Sequence, residues 1–161
     1  MAIETLEDLE LALSALADQL PRIIQVQTEV AANDIMALVD QRVVETGTDA
    51  NGAAFVDYTQ KYKEKKTALG RYTGKVDFQL TGQMLASTAT GLKNIGITES
   101  TVSGSTARVV IEGRDTETRG KIEGNNKKRP GFLNPSAKEV ERVSDIRSQR
   151  IEDMIREEYF T

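Results

Sequence analysis

The side chains best suited to chemistry crowd between Tyr58 and Lys75. Six bases (Lys61, Lys63, Lys65, Lys66, Arg71, Lys75) stand there against one acid, Glu64, interleaved with Tyr58, Tyr62 and Tyr72. Ammonium groups beside aromatic rings can meet phosphates and stack on bases, the pattern of a single-stranded nucleic-acid platform. Gly70-Arg71-Tyr72-Thr73-Gly74-Lys75 looks at first like a phosphate loop. Such a loop needs four residues between its glycines and Ser or Thr after the lysine; here there are three, followed by Val76. The chain has no Cys and no His, which removes thiolate nucleophiles, Fe–S and thiolate-zinc sites, the Ser-His-Asp triad and an imidazole shuttle near neutral pH. Carboxylate sites for Mg²⁺ or Ca²⁺ and two-carboxylate hydrolysis stay formally open, but no pair of acids stands out by spacing. No catalytic, cofactor-binding or metal-binding residue is nominated, and the chain is expected not to be an enzyme.

The frame that must position these residues is small. At 161 residues and 17.7 kDa the chain is expected to form one α+β domain over 1–161. Apolar residues make up 39% and aromatic residues 5%, below the roughly 45–50% apolar share of an average domain, so part of the apolar surface is expected to be buried against neighbours. Met1-Ala2-Ile3-Glu4 lacks the basic and apolar regions of a signal peptide, and no stretch approaches membrane-spanning length. A soluble protein, cytoplasmic in its host cell and without a membrane partner, is expected.

Leu6, Leu9, Leu13, Leu16 and Leu20 are spaced 3, 4, 3 and 4 apart, a heptad stripe on a segment (1–21) with five acids and no base before position 21. Helix is predicted over 5–44, broken or bent near Pro21, with Ile24, Ala31, Ile35, Leu38 and Val39 continuing the apolar face. The stripe either packs on the domain's own sheet or meets another subunit. Gly47 and the turn residues Asp49-Ala50-Asn51-Gly52 end the helix. Residues 45–77 show no sustained period and read as a long extended arm, improbable unless functional or ordered by a partner. Phe78–Ser87 reads as a strand followed by a helical turn, and 94–97 and 107–112 as strands of a small antiparallel sheet. The Ser/Thr/Gly-rich chain between them suits a turn, with strand at 101–103. Residues 114–124 read as weakly helical or irregular and lead into a basic loop at 125–131. Ser136 and Glu139 form a capping box opening an amphipathic C-terminal helix, 136–160, with Val140, Val143, Ile151, Met154, Ile155 and Tyr159 on its apolar face.

Charge is segregated along the chain: −5 over 1–20, +5 over 61–75 and +4 over 119–129. Three readings follow: head-to-tail contact between copies, which closes into a ring when the rotation permits; a solvated loop whose aromatics pack back on the core; and direct nucleic-acid binding. The residues nominated for oligomer or partner contact are Leu6, Leu9, Leu13, Leu16, Tyr58, Tyr62, Lys63, Lys65, Lys66, Arg71, Lys127, Lys128, Arg129 and Phe132.

The order of motifs also carries a resemblance. A long helix ending in Gly47-Thr48-Asp49-Ala50-Asn51-Gly52 is followed by Tyr58 and Tyr62-Lys63, then by Val76-Asp77-Phe78-Gln79-Leu80-Thr81-Gly82-Gln83-Met84-Leu85. Asn125-Asn126, Arg129-Pro130-Gly131-Phe132-Leu133 and a closing helix come after. Over about 30–160 this resembles the neck and tail-completion proteins of tailed bacteriophages, the virion-morphogenesis or head–tail connector group. Gly131 interrupts the group's Arg-Pro-Phe-Leu element, and the acidic helix before Pro21 is not a feature of it. The resemblance implies a non-enzymatic virion protein, assembled in the host cytoplasm, forming a six- or twelve-fold ring between portal or adaptor and tail proteins. DNA would pass transiently and non-specifically through its lumen, and no cofactor is implied. The alternative is a nucleic-acid-binding module using the Lys/Tyr-rich 58–75 segment.

Overall fold

The computed structural model describes residues 4–78, 85, 87–88, 91–104 and 106–160. It is a mixed α+β fold with four helices, one long antiparallel hairpin and a second, two-residue strand pair. Helix α1 (Leu6–Thr46) opens on a capping box: the Thr5 hydroxyl accepts from the Asp8 N–H while the Asp8 carboxylate accepts from the Thr5 N–H. It closes at Gly47, whose φ of 67° is the left-handed conformation of a helix C-cap. The predicted break near Pro21 is absent, for the helix continues through it.

Strands β1 (Ser87–Thr88) and β2 (Gly91–Leu92) pair briefly. Strands β3 (Ile95–Ser103) and β4 (Thr106–Gly113) form the main hairpin, with Ser103 opposite Thr106 across a two-residue loop that includes Gly104 at φ 58°. The polar run expected to be mostly turn is therefore strand: cross-strand pairing outweighs its low apolar content, with a register shift between Ile97 and Glu99. The strand and helical turn expected over 78–87 fall largely outside the described residues.

The core gathers Val39 and Val43 of α1 with Val76, Phe78, Leu85, Leu92, Ile95 and Phe132. Helix α3 (Thr116–Lys128) is capped by Asp115, and α4 (Ala137–Tyr159) by the expected Ser136/Glu139 box. Val143 of α4 is buried, but Val140, expected on the same apolar face, is exposed. Helix α4 runs antiparallel to α1. Arg42 donates to Glu139 at 2.9 Å, Arg150 to Asp34 at 2.7 Å and Arg147 to the Thr28 hydroxyl at 3.1 Å. Gln25 meets Ser100 of the hairpin at 3.3 Å. The first turns of α1 keep one face covered, with Ala12 buried and Asp8, Leu9 and Leu16 half-buried, and leave the other in solvent.

Candidate assembly surfaces

The arm is neither extended nor unpartnered. Within it lies α2 (Gln60–Ala68), preceded by a Thr48–Ala54 bridge and a turn in which Asp49 accepts from the Asn51 and Ala53 N–H groups. Helix α2 lacks an apolar stripe and a side-chain cap, so something else must hold it. Lys66, fully buried, forms an ion pair with Asp77, itself 2% exposed. The Asp77 carboxylate also accepts from the Tyr58 hydroxyl at 3.3 Å and the Thr73 hydroxyl at 2.8 Å. A buried charge is tolerated when it is paired and its remaining lone pairs are met.

Tyr58 closes this network. Its hydroxyl accepts from the Phe78 N–H at 2.8 Å, and its ring lies 4.7 Å from Tyr62 and 5.0 Å from the Lys66 ammonium. Burial, with Asp77 nearby, pushes the Tyr58 phenol far above its ordinary range, so it stays a neutral donor. Phe78 takes a φ of 55°; its ring is 4.5 Å from Phe132 and 5.2 Å from Phe55. Across the same site Arg129 donates to the Val56 carbonyl at 2.9 Å and the Asp57 carbonyl at 3.3 Å, with its guanidinium over the Tyr58 and Phe78 rings. An open cleft of about 450 Å³ lies between these groups, Asn125 and Lys128.

Three nominated contact residues are therefore corrected. Lys66 and Phe132 are 0% exposed and Arg129 is 8% exposed; they build the fold rather than face a partner, because Asp77, the arm's carbonyls and the Phe78 ring claim them. Tyr58 and Tyr62 are half-buried in the same cluster. Lys63 pairs with Asp57 at 2.5 Å, which raises the lysine and lowers the carboxyl from their usual ranges. Lys65 and Arg71 are exposed on and just beyond α2. Lys127 pairs with Glu123 at 2.8 Å on the surface of α3, and Lys128 is exposed beside it. Helix α3 runs on to Lys128 and so takes in the first part of 125–131, where a loop was expected.

The N-terminal stripe lies far from this cluster along α1. Leu6 is 81% exposed, Leu11 59% and Leu13 49%, with Leu20 also exposed and Leu9 and Leu16 half-buried. Spacing had marked all of these except Leu11, which lies off the stripe. What sequence reasoning missed is a groove of about 760 Å³ between α1, the hairpin, α3 and the loop after it. Met36, Ile111, Ile122 and Leu133 line it, each from a different segment. No local period could have brought them together.

No group of acids suited to a metal ion occurs among the described residues, and no helix there is long and apolar enough to cross a membrane. Comparison of the chain with protein-family models, curated proteins and solved structures found no match.

Proposed function

We propose that this chain is a structural protein of a tailed-bacteriophage virion, forming a homo-oligomeric ring at the head–tail junction through which genomic DNA passes. The observation that carries the assembly part is the set of exposed leucines on the first turns of α1. Burying one leucine contributes roughly 1.5–3 kcal/mol, and Leu6, Leu13 and Leu20, exposed at heptad spacing beside the half-buried Leu9 and Leu16, form an apolar edge of the kind that marks an interaction surface. Acids on that segment and bases on α2 and α3 favour contact between unlike surfaces of successive copies, the geometry that closes into rings. The neck assignment rests on the ordered motifs from Gly47 to Leu133 that resemble the connector group. A net charge of −4 suits a conduit, since a strongly basic lumen would retain DNA.

The nucleic-acid-module reading loses ground with Lys66 buried and Lys63 engaged by Asp57. Salt titration of DNA binding separates the two, because each phosphate contact adds to the salt slope. A steep slope would favour the module. Negative-stain class averages of the purified protein test the ring. An open-centred ring is expected; a chain that stays monomeric at high concentration, even with portal and tail proteins added, would overturn it.

A further inference from the structure

We propose that the cleft beside Arg129 is a binding site for a small organic oxyanion, a carboxylate or phosphate carried on a flat apolar body. The site stands independently of the ring reading. Val56, Tyr58 and Tyr62 line it from the arm, Phe78 from the arm's end, and Lys128 and Arg129 from the end of α3.

Arg129 carries the inference. It is 8% exposed, and its partners are the Val56 and Asp57 carbonyls and the faces of the Tyr58 and Phe78 rings. These meet its N–H groups but leave a full positive charge without a counter-ion, whereas a buried charge is ordinarily matched by an opposite one. Every Asp and Glu of the chain falls among the described residues, and none of their carboxylates forms an ion pair with Arg129. Asp57 is close enough to feel the guanidinium, but its exposed carboxylate is held by Lys63 at 2.5 Å. Asp77 is claimed by buried Lys66. Each of these acids is thus cancelled by a lysine, while Arg129 and the exposed Lys128 keep their charges at the cleft. The side chains of this molecule supply no anion there, so the fitting one comes from outside it.

The other walls select what the anion is attached to. The cleft's 450 Å³ lies within the roughly 300–1,000 Å³ of small-ligand sites, which join apolar and aromatic walls to a few polar groups. Tyr62 is half-buried and Val56 is 73% exposed, so both offer apolar surface to a ligand. A ring laid against them places its oxyanion within reach of Lys128 and Arg129, and a guanidinium accepts carboxylate and phosphate alike. An aromatic carboxylate and a nucleotide share this chemistry.

Isothermal titration calorimetry of the full-length chain with N-acetyl-phenylalanine and with thymidine 5′-monophosphate separates the two sources. At least one should bind with a Kd of about 1 mM or tighter. Binding of the first assigns the site to carboxylates, of the second to phosphates, and of both to either; each result supports the proposal. The neutral counterpart of the bound probe, N-acetyl-phenylalanine amide or thymidine, should bind at least about fivefold more weakly. Lys128→Glu, at an exposed position, should weaken the anion by at least about fivefold and leave thermal unfolding unchanged. Silence from both anions at about 10 mM, equal affinity for the neutral counterpart, or wild-type affinity in Lys128→Glu would each overturn the site.

Discussion

Two regions of the molecule invert the usual sorting of side chains, in opposite senses. Around Asp77 the fold takes in charges: Lys66, Asp77 and Arg129 are buried while the lysines next to them in sequence stay in water. Along the first turns of α1 it leaves out hydrocarbon, holding Leu6, Leu11 and Leu13 in solvent. The first inversion is completed within one chain, because every buried charge has its partner there. The second has no such completion among the described residues. A short helix without an apolar face is held by one ion pair, and a long helix with an apolar face keeps part of it uncovered. The difference separates what stabilises the folded chain from what the fold leaves exposed.

The strongest way to break this contrast is at Lys66. Lys66→Met should cost about 3–5 kcal/mol in chemical denaturation, because Asp77 would be left buried and uncompensated. Lys66→Met/Asp77→Leu should cost less than the single change. If the single substitution is neutral, the ion pair does not anchor the arm. Arg129→Lys should lose about 2 kcal/mol, since an ammonium cannot reproduce the two carbonyl contacts and the ring stacking of the guanidinium.

Asp40 sharpens the comparison as a carboxyl that went inside without a partner. One of its oxygens is buried and finds no hydrogen bond among the described residues, and burial raises its pKa from 3.8 to about 6. Between those values the folded chain holds a proton that the unfolded chain has released, so stability falls as pH rises through this window. Asp40→Asn should therefore stabilise the protein by about 1 kcal/mol at pH 7, after allowance for partial solvation, and the gain should vanish below pH 4. A pH series of denaturation curves reads both. The smallest effect belongs to the leucines. Leu6→Glu/Leu13→Glu should change the stability of the isolated subunit by under about 0.5 kcal/mol, as expected of exposed sites; a larger loss would mean the stripe serves the fold.

Local signals made the ends of the molecule legible. The heptad leucines, Gly47 and the Ser136/Glu139 box marked α1 and α4 to within a few residues. Helix α2 escaped because its anchor is a charge, and apolar periodicity cannot register a buried lysine. The four-residue spacing of Tyr62 and Lys66, one face of a helix, was the available clue. Arg129 and Phe132 read as surface because Asn125 to Gly131 is rich in turn and basic residues. Their burial depends on Asp57 and Phe78, more than fifty residues earlier. The groove is likewise a product of tertiary packing.

Pro21 gives the long helix a mechanical character. A rod of 41 residues is about 60 Å long, and this one is clamped by α4 and the hairpin over its C-terminal part. Proline offers no amide hydrogen to the Ala17 carbonyl and its ring crowds that oxygen, so the softest joint sits near the edge of the clamp. Bending at such a joint would re-aim Leu6, Leu11 and Leu13 without disturbing the packed body. In a closed circle each subunit must reach the next at a common spacing, and compliance at a single joint lets that spacing be met by tilting one element, with the packed body left undeformed.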